Sequence, residues 1–260
     1  MFKQNRNTNN RLDSEVWENR TTTRLFSEEH KIIPPEDVKY LAKVINNIPS
    51  QCSIKSHFWV YLGQSKEDLK IRKWLADNIY WSPWNEKNSK ELIKETMLGI
   101  IQAPSIITCV RADDPWANTE PQKTRKDHEH LADRSEGFHA GVILSTLLNM
   151  GYKVATFGCT AGASYNKGNR DNILNEYTRI IKERYSKELQ EMISAYPGEV
   201  GNWNDITFFP GVTQCFGLVE IDNKEKFNGK LDTWTSPSGD EYKFINGAKT
   251  RTPVDSTLGF

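Results

Sequence analysis

Hydrophobic positions repeat along this chain in two rhythms. The switch between them is sharpest from Gly137 to Gly162, GFHAGVILSTLLNMGYKVATFGCTAG. Val142, Ile143, Leu144, Leu147, Leu148 and Met150 cover more than one helical face. A helix that is apolar most of the way round lies inside a protein rather than on it. Ser135 suits an N-cap and Gly151 a C′ stop. Val154 to Phe157 then reads as strand, and Gly158-Cys159-Thr160-Ala161-Gly162 as a turn whose small residues let backbone approach a ligand. Taken alone, the unit is a core helix feeding a core strand.

The same rhythms give the other elements. Pro34-Pro35-Glu36-Asp37 opens a helix, with proline in the first turn and acids near the positive end of the dipole. Val38, Leu41, Val44, Ile45 and Ile48 continue it at helical spacing. His57 to Leu62, HFWVYL, is an aromatic and β-branched strand. A helix is expected from Leu69 through Trp74, then an aromatic turn over Tyr80–Lys87, a helix over Ser89–Ile101 and a buried strand over Ser105–Val110. Residues 112–134 are polar, contain two prolines and show no apolar period, so they read as a long surface loop or lid. Asn172 to Ala195 forms an amphipathic helix on a stripe of Ile173, Tyr177, Ile180, Ile181, Leu189 and Met192. Residues 199–211 read as irregular, Gln214–Ile221 as strand, and Trp234–Phe244 as a hairpin around Pro237-Ser238-Gly239-Asp240. Strands and helices are intermixed without a visible repeat or boundary. The expectation is a single α+β domain over residues 16–260, preceded by a loose polar arm, residues 1–15.

Composition narrows the function classes. The 260 residues carry 34 basic and 34 acidic side chains. That balance gives no broad attraction to nucleic acid or to an anionic membrane. Mean hydropathy is −0.66, yet 8 Trp and 11 Phe argue against disorder. No apolar run has the length of a membrane span. The polar start, MFKQNRNTNNRLDSE, has no apolar signal region. Cys52, Cys109, Cys159 and Cys215 are widely spaced and form no C-x-x-C pair. Free thiols in a reducing cytoplasm are the simplest account. Cys109 and Cys215 sit in apolar runs and read as core, while Cys159, in its glycine-rich turn, is open to a catalytic role. His128-Glu129-His130 has metal-ligand types but no supporting ligand cluster and reads as solvated loop.

Two basic groups stand out near opposite ends of the chain. Arg20 and Arg24 flank Thr21, Thr22 and Thr23, and guanidinium groups with clustered hydroxyls suit an anion such as phosphate. Lys249 and Arg251 lie two apart in the tail. In an extended segment they project to one side and can grip one anion together.

Arg20-Thr21-Thr22-Thr23-Arg24-Leu25-Phe26 and the late Lys249-Thr250-Arg251-Thr252-Pro253, with the core unit between them, resemble the nitroreductase family of FMN-dependent oxidoreductases. By that resemblance Arg20, Thr21, Thr22 and Arg24 would meet FMN, and Lys249 and Arg251 its phosphate. Pro49-Ser50-Gln51-Cys52-Ser53 resembles the family's Pro-Ser turn, which reaches the flavin from the partner subunit. Pro49, Ser50, Gln51 and Ser53 are its candidates, with Ser53 where the family has Asn. Trp84-Asn85-Glu86-Lys87 resembles an aromatic-Asn-Glu-Arg pattern whose Asn meets the flavin. Phe157, Gly158 and Cys159 match positions that bring backbone towards the ring.

The resemblance implies a mixed sheet flanked by helices, an intertwined homodimer and a flavin reduced by NADH or NADPH. The reduced flavin would pass electrons to a small acceptor such as a nitroaromatic or a quinone. The flavin then carries the chemistry, and no protein nucleophile or metal is needed. Trp81 and Trp84 would line the acceptor's pocket, with Phe157 a further candidate. Two alternatives stay open: another flavin reaction on the same fold, such as dehalogenation, ring oxidation or flavin cleavage, or a flavin-free binding protein that kept the fold.

Overall fold

The computed structural model describes residue 26 and residues 32–49, 57–78, 95–112, 122–157, 170–194, 202–218, 231–235 and 241–245. Its centre is β2 (Ser105–Ala112), whose residues from Ser105 to Val110 are all buried. A strand covered on both faces reads as a continuous apolar run rather than an alternation. On one side β2 pairs with β1 (His57–Leu62) and on the other with β4 (Phe208–Gly217), which in turn pairs with β3 (Lys153–Phe157). The order is β1-β2-β4-β3 and every ladder is antiparallel. The α+β class holds, with an antiparallel four-stranded sheet among the described residues where the resemblance implies a mixed one. A separate two-stranded ladder joins β5 (Leu231–Thr235) to β6 (Glu241–Ile245), the expected hairpin.

Helices cover both faces. On one face lie α1 (Pro35–Asn47) and α4 (Gln122–Asn149), whose Leu41, Ile143, Leu147 and Leu148 pack on Ile107, Val154 and Phe216. On the other lie α2 (Lys66–Asn78), α3 (Glu95–Gln102) and α5 (Arg170–Ser194). Here Ile71, Leu75, Ile100, Tyr177, Ile181 and Leu189 meet Val60, Leu62, Ile106, Ala155 and Phe157. Burying a side chain of this kind contributes about 1.5–3 kcal/mol, so the two clusters supply the main drive for the three-layer arrangement. Tyr152 donates a hydrogen bond to Asp37 and thereby ties the turn after α4 to the first turn of α1.

Arg72 of α2 is fully buried. Its guanidinium donates to the carbonyls of Ile100 (2.8 Å), Ile101 (3.1 Å), Gly63 (2.8 Å) and Ala103. The end of α3 leaves carbonyls without helical partners, and the fork of Arg72 supplies them. Burial lowers its pKa to about 10, partly offset by nearby Asp68 and the other groups around it.

Three expectations need correction. Residues 122–134 are helix, not loop: α4 begins at Gln122. Ser135 is therefore not an N-cap but a buried residue inside α4. Gly151 does end the helix region, at φ 85°, a conformation that glycine adopts at little cost. Finally, β4 begins at Phe208 and takes in Pro210-Gly211, which had read as irregular chain, and the strand ends at Gly217. The physical reason is a bulge, described next.

Candidate functional site

The antiparallel order places the start of β1, the end of β2, the end of β3 and the start of β4 at one end of the sheet. His57 there pairs with Arg111 and Arg111 with Phe209, while β3 stops short of that row: Phe157 pairs with Thr213 and is level with Val60. β1 and β3 are the outer strands, separated by three steps of about 4.8 Å, or about 14 Å in all. A polar group fills the space between this end of the sheet and α4.

Its centre is Glu136. The β2–β4 register shifts between Thr108 and Val110, which pair with Thr213 and Pro210. Cys109 thus faces both Gly211 and Val212, the two-against-one arrangement of a β-bulge. Pro210 has no N–H to give a ladder, which suits a bulge. The N–H of Val212 donates to Glu136 Oε1 at 2.5 Å. Glu136 Oε2 pairs with Arg111 at 3.1 Å, and Asp133 Oδ1 pairs with the same nitrogen at 2.6 Å. Arg111 lies 5.1 Å from the centroid of the Phe209 ring. Burial works against its charge, but Glu136 and Asp133 outweigh that, and its pKa lies above the ordinary value. Burial pushes the Cys109 thiol well up, and Glu136 adds to the effect. A thiol so held is no nucleophile.

Beside this group His139 of α4 meets His57 edge to face, with ring centroids 4.7 Å apart and an interplanar angle of 82°. Both residues are buried. Next along α4, the carbonyl of Ala140 accepts from Gln214 Nε2 at 2.6 Å. The Oε1 of Gln214 and the Nε1 of Trp59 are buried without hydrogen-bond partners among the described residues.

No family model matches the chain, and no curated protein matches its sequence. Several solved structures are similar to it. One is a nitroreductase family protein from Clostridium novyi, at 12% identity over 81% of this chain and 86% of that one, TM-score 0.44. Another is nitroreductase A from Vibrio parahaemolyticus, at 9% identity over 82% and 70%, TM-score 0.48. A third is a BluB-like flavoprotein from Clostridium difficile, at 15% identity over 81% and 90%, TM-score 0.49. These solved neighbours are nitroreductases and a flavoprotein.

Two of the expected site residues fall among those described. Pro49 is exposed, just past the end of α1. Its backbone makes a polar contact with His139 that favours the charged imidazole. Phe157 is the last residue of β3, level with Val60 of β1, and its ring is 5% exposed and packs into the core. Arg20, Thr21, Thr22, Arg24, Ser50, Gln51, Ser53, Trp81, Trp84, Asn85, Gly158, Cys159, Lys249 and Arg251 lie outside the described residues. Phe26, the end of the opening motif, is buried near the other end of the sheet, where its N–H donates to Gln102 Oε1 at 3.2 Å. Six residues of extended chain span about 20 Å, so Phe26 fixes where that motif ends and not where Arg20 lies.

Sequence reasoning missed His57, Arg111, Glu136 and His139 as a group. A buried carboxylate three residues from a buried histidine on one helix was the available signal. Their partners on β1, β2 and β4 have none, because only the folded sheet brings them together. Among the described residues there is no cluster of three or more His, Cys, Asp or Glu placed to hold a metal, and no helix is long and apolar enough to cross a membrane.

Proposed function

We propose that this chain is an FMN-dependent oxidoreductase that passes electrons from NADH or NADPH to a small organic acceptor, such as a nitroaromatic or a quinone. The observation that carries the reading is the shared sheet end. The chain that resembles the family's Pro-Ser turn runs from Pro49 to the start of β1 at His57. The glycine turn beginning at Gly158 follows β3 directly. Both stretches attach at the same end of the sheet. The two stretches thus leave the sheet in the same direction from its two outer strands, which supports a reading in which one ligand meets both.

At this end of the sheet the described residues offer the group backbone rather than charge. Phe157 turns its ring inward and leaves its backbone at the strand end. Arg111 is already neutralised by two carboxylates. The phosphate is therefore assigned to Arg20, Arg24, Lys249 and Arg251, with Thr21 and Thr22 as hydroxyl donors. Ser50, Gln51, Ser53, Asn85, Gly158 and Cys159 are assigned to the remainder of the cofactor, and Trp81 and Trp84 to the acceptor. FMN, when bound, supplies the hydride-accepting ring. The protein orients it and places cations where negative charge develops.

A homodimer belongs to the same reading. The outer face of α4 carries exposed Gly137, Phe138 and Gly141, with Phe138 53% exposed. A Cβ at either glycine would meet no atom of the described residues within 4 Å. Among the described residues nothing covers that face, which supports its use by a second copy.

The test is an absorbance spectrum of the purified full chain, before and after NADH or NADPH is added without oxygen. A two-banded yellow spectrum that bleaches is expected, and the faster donor names the preference. Colour without bleaching points to another flavin reaction. A colourless protein that takes up no added FMN overturns the proposal. Light scattering of the same sample reads the dimer.

A further inference from the structure

We propose that ordered water, at least one molecule, is held between α4 and the sheet by the carboxamide of Gln214 and the indole N–H of Trp59. The site uses no atom of the salt-bridged group formed by Arg111, Asp133 and Glu136. It stands whether or not the chain binds a flavin.

Both side chains lie on the face of the sheet that α4 covers. Gln214 of β4 donates from Nε2 to the carbonyl of Ala140 at 2.6 Å. Trp59 of β1 packs against the cluster of Ile107, Ile143 and Leu147 in the same layer. The bond to Ala140 also fixes which way the Gln214 amide lies. Turned over, it would set Oε1 against a carbonyl oxygen, and two acceptors form no hydrogen bond. Oε1 is therefore the end left over. Gln214 is fully buried, and its Oε1 has no hydrogen-bond partner among the described residues. Trp59 Nε1 has none either, and that atom is closed off from solvent although the residue is only partly buried. One atom only accepts and the other only donates. Water serves both.

A chain of contacts links the two atoms beneath one turn of α4. The Trp59 ring meets His57 with centroids 6.1 Å apart, and His57 meets His139 at 4.7 Å. His139 precedes Ala140, the residue that Gln214 reaches. The polar groups of α4 at this turn are engaged elsewhere: His139 with the backbone of Pro49, Glu136 with Arg111 and the Val212 N–H. The neighbouring side chains are small. Cys109 is the register partner of Trp59 on β2, and Ala140 stands on α4. Leaving a buried polar group unpaired costs the folded state roughly tenfold to a hundredfold in its equilibrium constant. Ordering one water costs at most about thirtyfold. Water that pairs both groups is therefore favoured. Interior sites with polar walls hold water, whereas apolar ones stay dry.

Magnetic relaxation dispersion of the water oxygen counts molecules held inside a protein, and it tests this on the full chain. The natural protein is compared with Gln214→Met, which keeps a similar volume and offers neither the acceptor nor the donor. The variant is expected to hold at least one long-lived water fewer. A second measurement uses the natural chain with its 8 tryptophans isotopically labelled. The Trp59 indole proton is expected to show cross-relaxation with water that has opposite sign in the laboratory and rotating frames, a mark of bound water that direct proton exchange does not give. Unchanged dispersion in a folded Gln214→Met overturns the proposal. So does a Trp59 indole proton without that cross-relaxation. If Gln214→Met does not fold, the Trp59 signal decides alone.

Discussion

Glu136 and Gly211 compete for one small volume. A Cβ built on Gly211 would fall on Glu136 Oε1, 2.8 Å from its Cδ and 3.0 Å from Cys109 Cβ. The glycine is needed for space, because the bulged strand must admit a carboxylate from α4. Gly211→Ala is expected to displace that carboxylate from the Val212 N–H and from Arg111, at a cost of about 3 kcal/mol by overpacking and lost hydrogen bonding. Glu136→Ala loses the same bonds. The double variant should therefore cost clearly less than the two single losses added together, since touching residues couple. Urea denaturation of the three variants measures this. Simple additivity would show that the two do not share the site.

Arg72 makes a second, separate prediction, at the opposite end of the sheet. Its guanidinium serves carbonyls of Gly63, Ile100, Ile101 and Ala103 from full burial. Arg72→Met fills similar space but leaves those carbonyls without a charged donor, and a loss of at least about 3 kcal/mol is expected. Arg72→Lys should recover only part of it, because one ammonium cannot reproduce the planar fork. Denaturation midpoints decide. A lysine variant as stable as the natural chain would mean that charge, and not the fork, holds α3.

These two sites show what the sequence could and could not reveal. Gly151 was readable as a helix stop because its φ of 85° is a local demand that selects glycine. The face of α4 that carries Ile143, Leu147 and Leu148 was readable from period alone. The start of the same helix was not. Residues 122–134 are polar, and a search for apolar repeats finds nothing there, although Gln, Lys, Arg, Glu, Leu and Ala are good helix formers. Pro210-Gly211 was misread for the opposite reason. Local rules make that pair a break, whereas a carboxylate 75 residues earlier in sequence makes it a bulge within a strand. Within the candidate site, Phe157 was placed correctly on its strand, but which way its ring turned depended on the far layer of helices.

The flavin reading makes its sharpest prediction through charge. Arg20, Arg24, Lys249 and Arg251 repel one another if they gather without an anion. They should therefore be the residues whose loss hurts binding far more than folding. Lys249→Met with Arg251→Met removes two charge-assisted donors, each contributing about 1.5–3 kcal/mol, so FMN affinity is expected to fall at least about a hundredfold. Without FMN the thermal midpoint should hold or rise, because a repulsion has been relieved. Phe157→Leu is the contrasting case. Its ring packs in the core, so it should lose stability and keep its affinity. Titrating FMN by the quenching of its fluorescence, with a melting curve for each variant, separates the two. If the double variant binds FMN as the natural chain does, the tail cations are not the phosphate site.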